Sequence, residues 1–410
     1  MPSLCEAQCR HALYYVAVLS QADKRYQQGG EALKVGLEIF DREWRNIQIG
    51  QKWAMVCAKR NKLASVLCSD YPDSGTNLFA LRQHPRERIH WLEAALDSAK
   101  KLDKIDAVGR HLGNLGIAHT NLGNSRQAIE FYKHQLLICR KINDRNSEGN
   151  ALGNLGNAYS NLGKNHLAIK LTEKALHIFR ETNDLNAEAS TLGNLGVSYA
   201  ELGETRKAIE YYEQYLTIAR KIGDRRGEGN ALGNLGVECA KQGEHDCSIE
   251  FFTQKLIIAR ELGDHRSEGI ALGNLGLVYA GMGDSHRAID YHEQALAVDR
   301  QIENRYGESY SVGNLGNAYT KIGKPHRALQ LFKEQLAISR EIGNRHCEGI
   351  ALFNMALTLD KLGDRLQAIF NAKAALETFE QIDAPYAKRV RDKLNKWHSQ
   401  NENNNHASPP

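Results

Sequence analysis

Asparagine recurs at one fixed interval through most of this chain: Asn114, Asn154, Asn194, Asn234, Asn274, Asn314 and Asn354 lie forty residues apart. The first six sit in the tetrapeptide Gly-Asn-Leu-Gly, and the seventh in a degenerate copy, Phe353-Asn354-Met355-Ala356. A carboxamide offers two donors and an acceptor. A row of them has two uses. The amides can pair with the main chain of an extended peptide, whatever its sequence, or they can bond neighbouring helices to one another. Glycine inside a helix costs roughly 1 kcal/mol relative to alanine, so helix propensity does not explain the tetrapeptide.

Other chemistry is sparse. No G-x-x-x-x-G-K-[ST] occurs: Gly163-Lys164 is followed by Asn165, and Gly323-Lys324 by Pro325. Gly227, Gly229 and Gly233 come near a dinucleotide loop, but the last spacing is one residue too long and no strand is predicted before it. The sixteen histidines are spread singly and the eight cysteines form no C-x-x-C. Cys239 and Cys247 face each other across a predicted turn and make, with His245, a partial metal set; reduced buried thiols in a cytosolic protein are the plainer expectation. No enzyme activity and no cofactor are expected.

The elements that position the asparagines follow from the punctuation around them. Asp144, Asp184, Asp224, Asp264, Asn304 and Asn344 can each cap a helix start. Gly223, Gly263 and Gly343 stand just before three of them and can end the preceding helix. Gly123, Gly163, Gly203, Gly243, Gly283, Gly323 and Gly363 stop each first helix. In the second helix apolar residues return at helical spacing, as at Ile249, Phe252, Leu256 and Ala259. Residues 107–382 are therefore seven helix–turn–helix units of about forty residues. One unit cannot bury its apolar face alone, whereas a stack can. Arg145, Arg225, Arg305 and Arg345 each precede a glutamate by three residues (Glu148, Glu228, Glu308, Glu348), which predicts salt bridges across the inter-unit turns, with ligand contact as the alternative.

Leu195-Gly196-x-x-Tyr199 with Ala208 and Tyr212, and Leu155-Gly156-x-x-Tyr159 with Ala168, resemble the tetratricopeptide repeat (TPR) signature. The usual terminal proline is replaced by Arg180, Arg220, Arg260 and Arg300. That lets the second helix run on and stretches the ordinary repeat to forty residues. This long form is similar to the Pins/LGN-type scaffolds and to arrays in bacterial signalling proteins. The resemblance implies an all-α, right-handed superhelical solenoid of antiparallel helix pairs. It makes Gly156 and its equivalents the glycine that admits a neighbouring helix, and it turns the asparagine position toward a concave groove.

On that groove the asparagines form a ladder, and the first glycine of each tetrapeptide leaves room for a ligand backbone. Each unit adds about 10 Å along the groove and an extended chain about 3.3 Å per residue, so about three ligand residues pass each rung. Beside the ladder come Ile117, Asn157, Val197, Val237, Leu277, Asn317 and Leu357, and one turn on Asn161, Glu201, Lys241, Gly281, Lys321 and Lys361. The expected partner is a protein or peptide, apolar at its centre and acidic at one end.

Residues 1–106 are predicted helical but out of register. EAQCRHALYYVAVLSQADKRYQQ reads as one long helix, residues 29–58 as two more, and 72–84 as a loop. This segment reads as degenerate TPR-like pairs and resembles the stretch before TPR arrays in NB-ARC (STAND) signalling ATPases, which makes a ligand-sensing arm acting on an ATPase in trans the second functional expectation. A Pins-like chain would carry G-protein-binding motifs after the repeats, and the short tail is expected to hold none. Residues 383–398 are expected to form a capping helix through Tyr386, Val390, Leu394 and Trp397, and 399–410 a disordered tail. The net charge of +4, with basic residues scattered among acidic ones, argues against a nucleic-acid groove. No apolar run reaches eighteen residues, so no membrane insertion is expected, and with no signal-peptide pattern the expected location is cytoplasmic.

Overall fold

Six of the seven repeats start with a side-chain cap that is made; the first, at Ile105–Asn121, has Lys104 there and no such bond. Asp144 accepts from the Ser147 amide at 3.0 Å, Asp184 from Ala187 at 3.1 Å, Asp224 from Gly227 at 2.9 Å, Asp264 from Ser267 at 3.1 Å, Asn304 from Gly307 at 3.2 Å and Asn344 from Cys347 at 3.1 Å. The residue before each cap is left-handed. Gly223, Gly263 and Gly343 have φ of 72°, 63° and 68°, and Asn143, Asn183 and Glu303 adopt the same turn at 57°, 52° and 54°.

The computed structural model describes residues 3–406, with side chains through 399. Among them are twenty helices and no strand. The chain divides into two compact units, Met1–Tyr211 and Tyr212–Pro410, the division falling inside the helix Thr205–Ile222. In the first, Ile105–Asn121 pairs with Ser125–Lys141 and Arg145–Ser160 with Asn165–Glu181, and Leu185–Glu201 follows. The second holds four pairs: Arg225–Gln242 with His245–Glu261, His265–Met282 with Ser285–Gln301, Arg305–Lys321 with Pro325–Glu341, and Arg345–Lys361 with Arg365–Gln381. This is an all-α repeat fold. The leucine of every Gly-Asn-Leu-Gly is at most 3% exposed, worth about 1.5–3 kcal/mol per side chain.

A second ladder crosses the inter-repeat turns. Arg140, Arg180, Arg220, Arg260, Arg300 and Arg340 put Nε 2.7–2.8 Å from Oε1 of the glutamate eight residues on, Glu148 through Glu348. These arginines occupy the place of the expected proline, so the residue that lengthens the helix also anchors the next one. Arg145, Arg225 and Arg345 take the other oxygen of Glu148, Glu228 and Glu348 at 2.5–2.6 Å, and Arg305 does the same with Glu308. The predicted arginine–glutamate pairs are thus present, but each lies within the first turn of one helix, and the bridge across the inter-repeat turn is made by Arg140 and its equivalents instead. Burial raises the Glu148 and Glu228 carboxyls, but the arginine hydrogen bonds outweigh it and hold both below the usual carboxylate range.

The region before the repeats differs from expectation in two places. Gly30–Cys57 is one helix of 28 residues, not two. Its Gly36 marks no break: a Cβ there would stand 2.6 Å from the Ala22 carbonyl, so the glycine lets the helix Leu4–Gln28 pack close. The predicted loop at 72–84 is mostly helical. Lys62–Ser74 runs through Pro72, and Thr76–Arg82 begins after Gly75. Burial overrides the turn-like composition there. Tyr71 and Leu78 are fully buried, and the buried Asp23 carboxylate caps the new helix, accepting from the Asn77 and Leu78 amides at 3.0 Å.

At the other end Val390, Leu394 and Trp397 are 0%, 5% and 1% exposed against the last repeat, and Trp397 Nε1 donates to Asp360 at 2.9 Å. Tyr386, expected in the same stripe, stays 40% exposed and stacks on Phe379. The helix runs from Tyr386 to His406 rather than ending at 398. Of the expected disordered tail, 407–410 lie outside the described residues.

Candidate functional site

The two glycines of each tetrapeptide lie on different faces of the first helix. A Cβ on the second would collide with the paired second helix: at Gly276 with the His292 ring at 2.5 Å, at Gly316 with Phe332 at 2.5 Å, at Gly236 with Phe252 at 2.9 Å. Its role is close helix packing. The first glycine is more varied. Gly113 is covered by Gln135 and Gly233 by the Lys255 terminus, 2.5 and 2.7 Å from the would-be Cβ, and Gly313 by Gln335. At Gly273 nothing lies within 4 Å, and at Gly153 only the Ala175 methyl does; both remain partly exposed. Room for a ligand backbone therefore exists at Gly153 and Gly273, whereas at Gly113, Gly233 and Gly313 a second-helix side chain fills it.

The asparagines between these glycines are all half-buried: Asn114, Asn154 and Asn194 in the N-terminal unit, Asn234, Asn274, Asn314 and Asn354 in the C-terminal one. Among the described residues only Asn354 makes an amide bond, donating to Asn317 Oδ1 at 3.3 Å. The other six amides form no hydrogen bond among the described residues. Holding neighbouring helices together, one of the two uses the sequence leaves open, is not what these six do. Beside them Val197, Val237 and Leu277 are 42%, 37% and 50% exposed, and Asn157 and Asn317 are exposed as well. Aliphatic side chains left in water next to amides that only water can satisfy form a surface open to a partner of both polar and apolar character.

The basic lean expected of the later groove is weaker than the sequence suggests. Lys241 is neutralised by the buried Glu238 at 2.6 Å. Lys321 donates to the Ala280 carbonyl at 2.8 Å, which ties its charge to the end of the helix His265–Met282.

In the C-terminal unit Asn314, Asn317 and Asn354 meet around a cavity of about 420 Å³. Of the lining residues that escaped the sequence reading, three bear on the chemistry. Gln335 is 3% exposed, and its Oε1 has no hydrogen-bond partner. Phe353 replaces the first glycine and forms part of the wall, with the Arg389 guanidinium 5.9 Å from its ring centroid. Arg389 comes from the capping helix. One signal was available: Gln135 and Gln335 occupy equivalent second-helix positions, and both leave Oε1 buried and unpaired.

Sequence comparison with curated proteins finds no match. Among solved structures the chain is similar to a STAND signal-transduction ATPase with a tetratricopeptide-repeat sensor from Pyrococcus horikoshii, at TM-score 0.62 and 18% identity; the match covers 94% of this chain and 65% of that one. It is similar to the apo quorum sensor NprR from B. thuringiensis at TM-score 0.59 and 14% identity, over 85% of this chain and 99% of that one. A Rap protein complexed with Competence and Sporulation Factor matches at TM-score 0.52 and 12% identity, over 96% and 99%. At these identities the likeness speaks for the fold. The tetratricopeptide-repeat model matches residues 107–181, 147–221, 223–301 and 307–381, together well over half of the sequence, and the chain belongs to that family.

Proposed function

We propose that this protein is a non-enzymatic interaction module that holds an extended segment of a protein partner on the rung faces of its repeats. The observation that carries this is the state of the asparagine ladder: six half-buried amides at one period, none bonded among the described residues. Their amide atoms are open to water in the free protein, and a partner's main chain can take the water's place. An extended main chain presents donors and acceptors to every rung regardless of sequence, while Val197, Val237 and Leu277 select apolar side chains. Arg389 and Lys361 at the far end favour an acidic segment there. The partner is a polypeptide rather than a nucleic acid, and the site of action is the cytoplasm; among the described residues no helix is long and apolar enough to cross a membrane.

Two structural neighbours support a binding role: one is a quorum sensor and the other a Rap protein complexed with Competence and Sporulation Factor. The STAND neighbour supports the second reading, a regulatory arm that acts on an ATPase in trans. Its match takes in nearly the whole of this chain, including the region before the repeats.

The test is affinity capture from lysate with wild type and two triple variants, Asn114→Ala/Asn154→Ala/Asn194→Ala and Asn234→Ala/Asn274→Ala/Asn314→Ala, after circular dichroism shows each is folded. A polypeptide held by wild type and lost by a folded triple variant supports the reading. Equal capture by all three proteins rejects the ladder as the binding surface.

A further inference from the structure

Across the turn inside each repeat, a residue near the end of the first helix faces one in the first turn of the second. In two repeats this contact is a cation over a ring: Lys207 Nζ lies 4.9 Å from the Tyr199 centroid, and the Arg287 guanidinium 5.3 Å from Tyr279. In the repeat that lies between them in sequence both partners change together, to Cys239 and Cys247. Their Sγ atoms are 2.8 Å apart and both thiols are free. A lone cysteine in place of tyrosine would be a packing substitution. Loss of ring and cation in favour of two facing thiols points to a different bond.

A third group converges on the pair. Glu244 is the residue before the second helix, His245–Glu261, and its carboxylate caps no helix amide. The equivalent Asp284 of the next repeat does cap, accepting from Arg287 N at 3.1 Å. The Glu244 carboxylate instead brings an oxygen to the sulfurs, so that the three donor atoms all lie within 4.8 Å of one another. His245, which the sequence grouped with the cysteines, is not part of this set, although its Nδ1 is buried without a partner.

We propose that Cys239, Cys247 and Glu244 form a binding site for a thiophilic divalent cation, with Zn²⁺ as the fit. Two sulfurs and one carboxylate oxygen are a borderline-soft donor set, and three protein ligands leave a fourth tetrahedral position for water. Zn–S bonds near 2.3 Å and Zn–O near 2.0–2.2 Å place tetrahedral donors about 3.5–3.8 Å apart. The sulfurs therefore open by about 1 Å on binding, a side-chain movement at Cys247, which sits in the first turn of its helix.

The balance is simple: Zn²⁺ replaces the two thiol protons, the carboxylate joins as it is, and two protons leave to solvent. Burial and the neighbouring thiol push Cys239 up to about 12, so this sulfur is a thiol at neutral pH until the metal displaces its proton. Affinity therefore rises with pH, about tenfold per unit for the Cys239 proton.

The experiment titrates the reduced full chain with Co²⁺ in place of Zn²⁺. Expected are one equivalent bound with a thiolate-to-cobalt charge-transfer band and visible bands of a tetrahedral site, all displaced by Zn²⁺. The variant Cys239→Tyr/Cys247→Lys, which restores the pair of the neighbouring repeats, should abolish the band while six other cysteines remain. Should it misfold, Cys247→Ser serves the same end. Glu244→Gln should weaken cobalt binding but keep the sulfur band. No charge-transfer band, or a band indifferent to Cys247, overturns the site. So does loss of two hydrogens by mass spectrometry in the metal-free protein under mild oxidant together with no cobalt binding after reduction, which would make the pair a disulfide instead.

Discussion

Two faces of the same first helices obey opposite rules. On the packed face the chain supplies most of the partners: each inter-repeat glutamate is held by arginine, and Gly116, Gly156, Gly236, Gly276 and Gly316 lie against a ring or hydroxyl of the paired helix, although the buried His292 Nδ1 makes no hydrogen bond. On the rung face, one third of a turn away, amides go unpaired, aliphatic side chains stand in water and Gly273 faces open space. The period is the same and the helix is the same. What differs is whether the chain itself supplies the partner. The first face is closed by the chain, and the second leaves its amides to water, where a partner's main chain can replace it.

The comparison breaks most readily on the packed face, at His292. It is 1% exposed, stands where Phe252 and Phe332 stand in neighbouring repeats, and burial lowers its pKa to about 4 from an ordinary 6.5. The folded state thus holds it neutral, while the unfolded chain takes a proton below pH 6.5. Stability is fully present above that pH and falls as pH drops toward 4, by about 3 kcal/mol in total from this residue. His292→Phe should flatten denaturant midpoints across that window, and unchanged pH dependence in the variant would contradict the assignment. Below about pH 4.5 a second loss sets in as Glu148, Glu228 and Glu268, all held low, take up protons.

Gly276→Ala comes next. Its methyl meets the His292 ring at 2.5 Å, and overpacking of this kind costs about 1–3 kcal/mol. Glu228→Gln should cost a similar amount. The glutamate side chain is 10% exposed and bracketed by Arg220 and Arg225, and an amide returns only part of those charged hydrogen bonds, about 1–3 kcal/mol. Urea unfolding measures both. If either proves neutral, the packed face is looser than its geometry.

How much of this was readable beforehand follows from what each feature depends on. Helix boundaries were legible because local groups set them: Asp144 and Asp224 cap, Gly223 and Gly263 turn, and the hydrogen bonds are where the spacing put them. The region before the repeats was misread where tertiary contact outweighs local composition, as at Pro72 within a helix and Gly36 against Ala22. Arg140 and its equivalents were noticed only as a missing proline. Their partner lies eight residues on, across a turn, a distance helical periodicity does not highlight. The asparagine row was legible as a pattern, but its unpaired state was not, because bonding depends on neighbours forty residues away. Gln335 and Arg389 were invisible for the same reason: one lies on the second helix and one on the cap, and only folding brings them to one cavity.

The smallest effects sharpen the comparison most, because their sign is reversed. Gly273→Ala, three residues from the costly Gly276→Ala, adds a methyl where nothing lies within 4 Å and should stabilise by about 1 kcal/mol through helix propensity alone. Asn274→Ala removes an amide that bonds to no other described residue and should stabilise the free protein by about 0.5 kcal/mol. The same substitution should weaken partner binding, so the two measurements move in opposite directions. A destabilising Asn274→Ala would mean the amide serves the fold after all, and the distinction between the faces would fail at the residue on which it rests. A stabilised protein that binds as before would keep the distinction and move the ligand elsewhere. Stabilisation together with lost binding is the outcome that identifies the rung face as a surface kept incomplete for a partner to finish.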